Sequence, residues 1–167
     1  MLETKRLILR PMAEKDVDAY LCIFTDPEVM KSFDNIIFTR EQMIQWVERN
    51  LKHQEKYGYG LFSVLLKENQ MLIGDCGLEC QELDGRAEIE IGYDFRSDYW
   101  NHGYATEAAA AVRDYTFQEL NIERVISLIR PENIASVRVA EKIGMKREKE
   151  IQRGGHPYWI YAQTQKE

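Results

Sequence analysis

The chain has 167 residues, 44% of them hydrophobic and 30% charged, and its 28 acidic and 22 basic side chains give a net charge of −6. That is the composition of one globular domain large enough to bury a core, and the two signs of charge are mixed along it, which argues against nucleic acid as the main partner and is compatible with a cationic substrate. No apolar run approaches the roughly 20 residues that span a bilayer, and the start MLETKRLILR lacks the basic-then-apolar layout of a secretory signal, so a cytoplasmic protein with no membrane partner is expected.

In chain order, RLILRP (Arg6 to Pro11) reads as a short strand closed by proline. AEKDVDAYLCIF follows with Val17, Tyr20, Leu21 and Phe24 on one helical face. TDPEVM predicts a short helix capped by Asp26 with Pro27 at its first position. In TREQMIQWVERNLKHQEK, Thr39 and Gln42 form a capping-box pair ahead of the apolar stripe Met43, Trp46, Val47 and Leu51. YGLFSVLLKENQMLIGDCGLECQ predicts two strands joined by a polar turn at Glu68 to Gln70. LDGRAEIEIGYDF adds the hairpin signal Asp84-Gly85 and a third strand, which makes an antiparallel meander. A helix to about Leu120, the β-branched strand RVISLI, a helix in ENIASVRVAEKIGM ended by Gly144, and a hairpin around Gly154-Gly155 complete an α+β arrangement with no internal domain boundary over residues 1–167.

Cys22, Cys76 and Cys80 are odd in number, and the last two share one strand face, so they are expected to be core or half-buried thiols rather than a disulfide or zinc framework. His53, His102 and His156 show no ligand spacing, and no metal is expected. The stretch YWNHGYATEAAAA, Tyr99 to Ala111, admits three readings on its own: a catalytic His102, an anion cradle at a helix start, or a bare strand-to-helix connection. In the second, Gly103 permits close approach and Tyr104, Ala105 and Thr106 supply first-turn N–H donors. Neither a P-loop nor a G-x-G-x-x-G fingerprint is present.

Four pieces in order, TKRLILRP, AEIEIGYDF followed by YWNHGYATEA, and PENIASVRVAEKIGMKRE, make the chain resemble the GNAT superfamily of acyl-coenzyme A dependent N-acetyltransferases, and more narrowly its RimJ/RimL-like branch. The superfamily's pyrophosphate loop, Q/R-x-x-G-x-G/A, corresponds to Trp100-Asn101-His102-Gly103-Tyr104-Ala105. Trp100 removes a cationic contact but leaves the backbone cradle intact. The resemblance implies a mostly antiparallel, mixed sheet of six or seven strands with helices on both faces, splayed between the EIGYDF and RVISLI strands. Acetyl-CoA as co-substrate would lay its pantetheine arm in the split, pairing with backbone near Tyr93, Asp94, Phe95 and Arg96, and its pyrophosphate over Asn101, His102, Gly103, Tyr104, Ala105 and Thr106.

The acceptor implied is a primary amine, either a protein N-terminus or a small molecule, which attacks the thioester directly without an acyl-enzyme. Glu90 is expected as general base, with Glu88 second. Strand alternation puts both on one face, where they also fit two surface glutamates. A backbone N–H near Tyr93 or Asp94 would hold the oxyanion. Asn133 fits a helix N-cap and, by resemblance, a contact to the cofactor arm; Ser136, one turn later, would protonate the leaving thiolate. Tyr158, Trp159, Tyr161, Phe33 and Trp46 fit either core or acceptor cleft, and Lys142 and Arg147 either solvated surface or a contact to the cofactor's 3′-phosphate. The competing functional class is a non-catalytic acyl-CoA sensor on the same fold. Edge strands near the C-terminus allow a homodimer.

Overall fold

A computed structural model describes residues 1–166. Eight strands form one sheet in the order β1-β2-β3-β4-β5-β6-β8-β7, where β1 is Leu2–Glu3, β2 Leu7–Pro11, β3 Leu61–Leu66, β4 Leu72–Leu83, β5 Arg86–Phe95, β6 Arg124–Ile129, β7 Lys146–Arg153 and β8 His156–Thr164. The expectation of six or seven strands falls short at the edge: β1 is two residues long and pairs through Leu2 and Glu3 with Leu9 and Ile8, too short to carry an alternation pattern. Every neighbouring pair is antiparallel except β5 and β6, which run parallel and share one registered pair, Glu90 with Ile126.

Five helices flank the sheet: α1 Val17–Ile23, α2 Pro27–Met30, α3 Arg40–Tyr57, α4 Tyr104–Gln118 and α5 Ile134–Lys142. Strand alternation divides β3 between two cores, because Phe62, Val64 and Leu66 join the layer under α4 while Leu61 and Leu65 join Tyr20, Met30, Met43 and Val47 from α1–α3. All six β3 residues are therefore buried, as a strand covered on both faces must be. Ala108, Ala109 and Val112 form the fully buried face of α4, their small side chains bringing the helix close to the sheet.

The local signals hold where they were read. Thr39 accepts from the Gln42 N–H at 3.2 Å and Gln42 accepts from the Thr39 N–H at 2.9 Å, so α3 starts on a capping box. Asp26 caps α2 by accepting from the Glu28 N–H. The amphipathic segment after β2 is divided: Glu14–Asp16 is a 3-10 turn, and α1 begins only at Val17. Among the described residues no helix is long and apolar enough to cross a membrane.

Candidate active site

The site is built where the sheet comes apart. The N–H of Arg96 donates to the Ile73 carbonyl at 2.9 Å. In an antiparallel ladder this assigns the main-chain groups of Glu90, Gly92, Asp94 and Arg96 to β4, and those of Ile89, Ile91, Tyr93 and Phe95 to the opposite edge. β6 follows that edge only as far as Ile126. Continued parallel pairing would hand the Leu128 N–H to the Ile91 carbonyl. Instead the Leu128 N–H donates to Glu90 Oε1 at 3.3 Å, and the Ser127 hydroxyl donates to the Ile91 carbonyl at 2.8 Å. Two side chains thus end the ladder and leave each main-chain group partnered.

Beyond that vertex the Tyr93 main chain and the Phe95 N–H face the gap, while the Phe95 carbonyl accepts from the Trp100 indole at 2.9 Å. The gap opens into a cleft of about 450 Å³. Tyr93, Ser127, Asn133 and Ser136 line it on the α5 side; Glu79, Glu90, Gly92, Asp94 and Leu128 line it on the other. The loop after α2 forms the mouth with Ser32, Phe33, Asp34, Ile36 and Phe38. Arg130 ties that loop across the cleft by donating to both Asp34 oxygens at 3.0 and 3.2 Å, and His156 lies 3.2 Å from Asp34.

Asn133 is the N-cap of α5: its Oδ1 accepts from the Ser136 N–H at 3.2 Å, and its amide donates to the Ser32 hydroxyl at 3.4 Å. The Tyr93 hydroxyl donates to the Ser136 carbonyl at 2.8 Å, which fixes the first turn of α5 against β5. At the other helix, Gly103 stands at φ 80°, ψ 7° as the N-cap of α4, with no side chain capping the turn. The N–H groups of Tyr104, Ala105 and Thr106 therefore open from an uncapped positive helix end. Asn101 is also left-handed, at φ 63°. His102 closes the tight turn, its Nδ1 lying 2.7 Å from the Trp100 carbonyl. Sequence reading missed Arg6, which fastens this loop from 96 residues away: it donates to the His102 carbonyl at 2.9 Å, pairs with Glu107 at 2.8 Å and stacks on the Tyr104 ring at 4.3 Å.

The cleft is acidic. Burial, and then the neighbouring Glu79, push the Glu90 carboxyl up to about 7, against the opposing hydrogen bonds from the Leu128 N–H and the Gln81 amide. Burial and Glu79 likewise raise Asp94 to about 7. Glu79 is itself raised by burial. Behind Asp94 lies its cross-strand partner Asp75, 1% exposed, with no hydrogen-bond partner on either carboxylate oxygen; burial and then Asp94 hold it well above the usual carboxylate range. Burial also raises the Tyr93 phenol.

Of the expected site residues, Glu90, Tyr93, Asp94, Asn133 and Ser136 meet in the cleft. Glu88 does not: it pairs with Arg124 at 3.1 Å in a separate groove shared with Glu148, because β6 is still beside β5 at that position. The Asp94 and Arg96 N–H groups belong to β4, so only Tyr93 and Phe95 offer backbone to the gap. Phe95's ring is core, and Arg96's guanidinium is held by Asp98 at 2.8 Å. Phe33 and Tyr158 line the cleft; Trp46 and Tyr161 pack in cores, and Trp159 lies under Arg147 at 4.4 Å. Lys142 is exposed in the last turn of α5. Cys76 is buried, Cys80 half-buried, and Cys22, against expectation, exposed. Among the described residues no cluster of histidine, cysteine or carboxylate ligands is placed to hold a metal.

A family model described as an acetyltransferase (GNAT) domain matches residues 6–146. The chain is 39% identical over 148 residues to the uncharacterized N-acetyltransferase YnaD of Bacillus subtilis (strain 168), covering 88% of this chain and 83% of the relative. It is 37% identical over 161 residues to the uncharacterized protein YkkB of the same organism, covering 96% and 93%. The crystal structure of a GNAT-family acetyltransferase from Bacillus anthracis superposes with a TM-score of 0.85 at 33% identity, over 99% of both chains.

Proposed function

Because the chain belongs to the acetyltransferase (GNAT) family, we propose that it carries an acetyl group from acetyl-CoA to a primary amine, within the RimJ/RimL-like branch. One observation carries the reading: the sheet is held open by Glu90 and Ser127, and the loop that follows the free β5 backbone, tied to it by the Trp100 indole, ends in the uncapped start of α4. The residues present fit the donor, since a strand edge, a split and a helix N-terminus suit an amide-bearing arm that ends in a pyrophosphate.

When bound, the donor supplies an activated thioester. The Tyr93 main chain and the Phe95 N–H hold its arm, with Asp94, Arg96 and Asn133 beside it. Gly103, Tyr104, Ala105 and Thr106 present their N–H groups to its phosphates, with Asn101 and His102 at the rim. The Tyr93 N–H is aimed at the gap where oxyanion charge develops. Glu90, directly or through one water, takes the first proton from the incoming ammonium. A second proton leaves the nitrogen once the C–N bond has formed, passing directly or through water to the Ser136 hydroxyl as that hydroxyl gives its own proton to the sulfur and the C–S bond breaks, so that CoA leaves as the thiol, Ser136 is restored and Glu90 returns its proton to solvent. Attack is direct: Cys76 is buried with its thiol pushed well up, and neither Cys22 nor Cys80 lines the cleft. Three unpaired cysteines suit the reducing cytoplasm.

Titration calorimetry with acetyl-CoA, followed by detection of free CoA over a panel of amines and N-terminal peptides, tests this. Binding at micromolar donor and CoA release that depends on Glu90 are expected. No binding at high micromolar donor would sink the proposal, and binding without turnover on any amine would make the protein a sensor instead.

A further inference from the structure

The carboxylates of the cleft are not arranged as a single general base requires. The two-residue Asp84-Gly85 turn sets the β4–β5 register so that Glu79 stands opposite Glu90, Gly77 opposite Gly92, and Asp75 opposite Asp94, all on one sheet face. Gly92 is not needed for a left-handed backbone, since its φ is not positive. A Cβ there would make only ordinary contacts, 3.5 Å from a Glu79 carboxylate oxygen and 4.0 Å from Leu61, so the glycine leaves this part of the face uncovered with the Glu79 carboxylate beside it. Glu90 and Asp94 are four residues apart on β5, about 13 Å between α-carbons at the usual rise, with this open floor midway.

The charges lining the cleft are unbalanced. Asp34, Glu79, Glu90 and Asp94 face one basic group, Arg130, and that guanidinium is already given to Asp34 and the Tyr158 hydroxyl. Among the described residues no hydrogen bond offsets burial at Glu79 or Asp94, and Asp75 behind them is buried without a partner on either oxygen. Enclosed carboxylates without donors are costly unless a cation satisfies them. Arg153 of β7 acts on Glu79 and Glu90 only from a distance, its guanidinium donating to Gln81 at 2.9 Å.

We propose that the acceptor is an aliphatic diamine or polyamine, its reacting nitrogen delivered to Glu90 and a second cationic nitrogen held by Glu79 and Asp94, with the connecting alkyl chain over Gly92. The proposal rests on the acetyltransferase reading above and narrows its acceptor. A peptide N-terminus brings one cation to three carboxylates, and an α-carboxylate beside the amine would be repelled.

The test uses the full chain at saturating acetyl-CoA with detection of free CoA, and compares butylamine, 1,4-diaminobutane and a neutral tripeptide with a free N-terminus. The diamine is expected to exceed butylamine in kcat/KM by at least ~10-fold, the discrimination that one charge-assisted hydrogen bond supplies. Glu79→Gln and Asp94→Asn should each bring that ratio towards one, so a folding failure in either leaves the other to decide. A diamine-to-monoamine ratio near one in the unmodified protein, a ratio unchanged in both variants, or a preference for the tripeptide overturns the proposal while leaving the acetyltransferase reading standing. No CoA from any amine together with no heat from acetyl-CoA overturns both.

Discussion

Replacing Glu90 by glutamine should make the protein more stable and nearly inactive. A carboxyl held at about 7 rather than at its ordinary 4.5 is ionised in the folded protein at pH 8 at a cost of about 3 kcal/mol. Gln keeps the shape and the oxygen that accepts from the Leu128 N–H. It also sets an amide nitrogen against the Gln81 amide donor, and Gln81 is not free to turn because its oxygen accepts from Arg153. That misfit costs about 1 kcal/mol, leaving a net gain of about 2 kcal/mol, or roughly 4–8 °C in Tm for a chain of this size. The sign depends on pH. Between about 4.5 and about 7 the folded carboxyl binds more protons than the unfolded one, so its contribution to stability falls as pH rises across that window and is flat above it. The gain of Glu90→Gln should therefore be present at pH 8 and absent at pH 5, while kcat falls by ~10²–10⁴-fold. Differential scanning calorimetry of both proteins at the two pH values checks it. A Tm difference that does not change with pH would refute the placement of Glu90 at an enclosed vertex, and an active glutamine variant would refute its role as base.

Gly103→Val forces a branched side chain into a left-handed position, at about 1–2 kcal/mol, so Tm should drop by roughly 2–8 °C. Acetyl-CoA affinity, titrated on the folded variant at 25 °C, should fall by more than that strain accounts for, and an unchanged affinity would count against the cradle. Arg6→Ala removes the guanidinium from Glu107, leaving it the main-chain N–H of residue 6, and removes the donor to the His102 carbonyl; it should weaken acetyl-CoA binding with about 1–3 kcal/mol lost in stability, and Arg6→Lys should not fully rescue it because a single ammonium cannot reproduce the fork. Ser136→Ala should leave Tm within about 1–2 °C and acetyl-CoA affinity close to unchanged while lowering kcat by ~10²-fold, measured by free CoA release. A full-rate Ser136→Ala protein would remove the hydroxyl from the chemistry.

Local chemistry made much of this molecule readable in advance. The Thr39–Gln42 box, the Asp26 cap and the Asp84-Gly85 turn act over two to four residues, and each is found where its residues stand. The turn even contains the register that opposes Glu79 to Glu90, because a two-residue hairpin leaves one way to pair the strands. What alternation along β5 could not decide was which of Glu88 and Glu90 reaches the cleft, since both share a face. The decision lies with β6, where Arg124 claims Glu88 and the Leu128 N–H claims Glu90. Arg6 with Glu107, and Arg130 with Asp34, join residues about a hundred positions apart, and nothing in either local sequence names the partner.

The way the sheet opens links its structure to its chemistry. An edge strand with unpaired N–H and C=O groups inside a protein is unfavourable and invites any neighbouring strand to close it. Here Ser127 satisfies the Ile91 carbonyl, Glu90 satisfies the Leu128 N–H, and Trp100 satisfies the Phe95 carbonyl. Those three bonds remove the reason for β5 and β6 to zip further, and they leave the Tyr93 main chain as the part of the edge still able to take an added strand. The carboxylate that blocks the ladder is the same one proposed to receive the ammonium proton, so its position is fixed by a main-chain donor as well as by side-chain packing. A base held in this way cannot retreat into bulk solvent when it ionises, and the same confinement that keeps it near its reaction partner is what raises its pKa to the range where it can exchange protons at neutral pH.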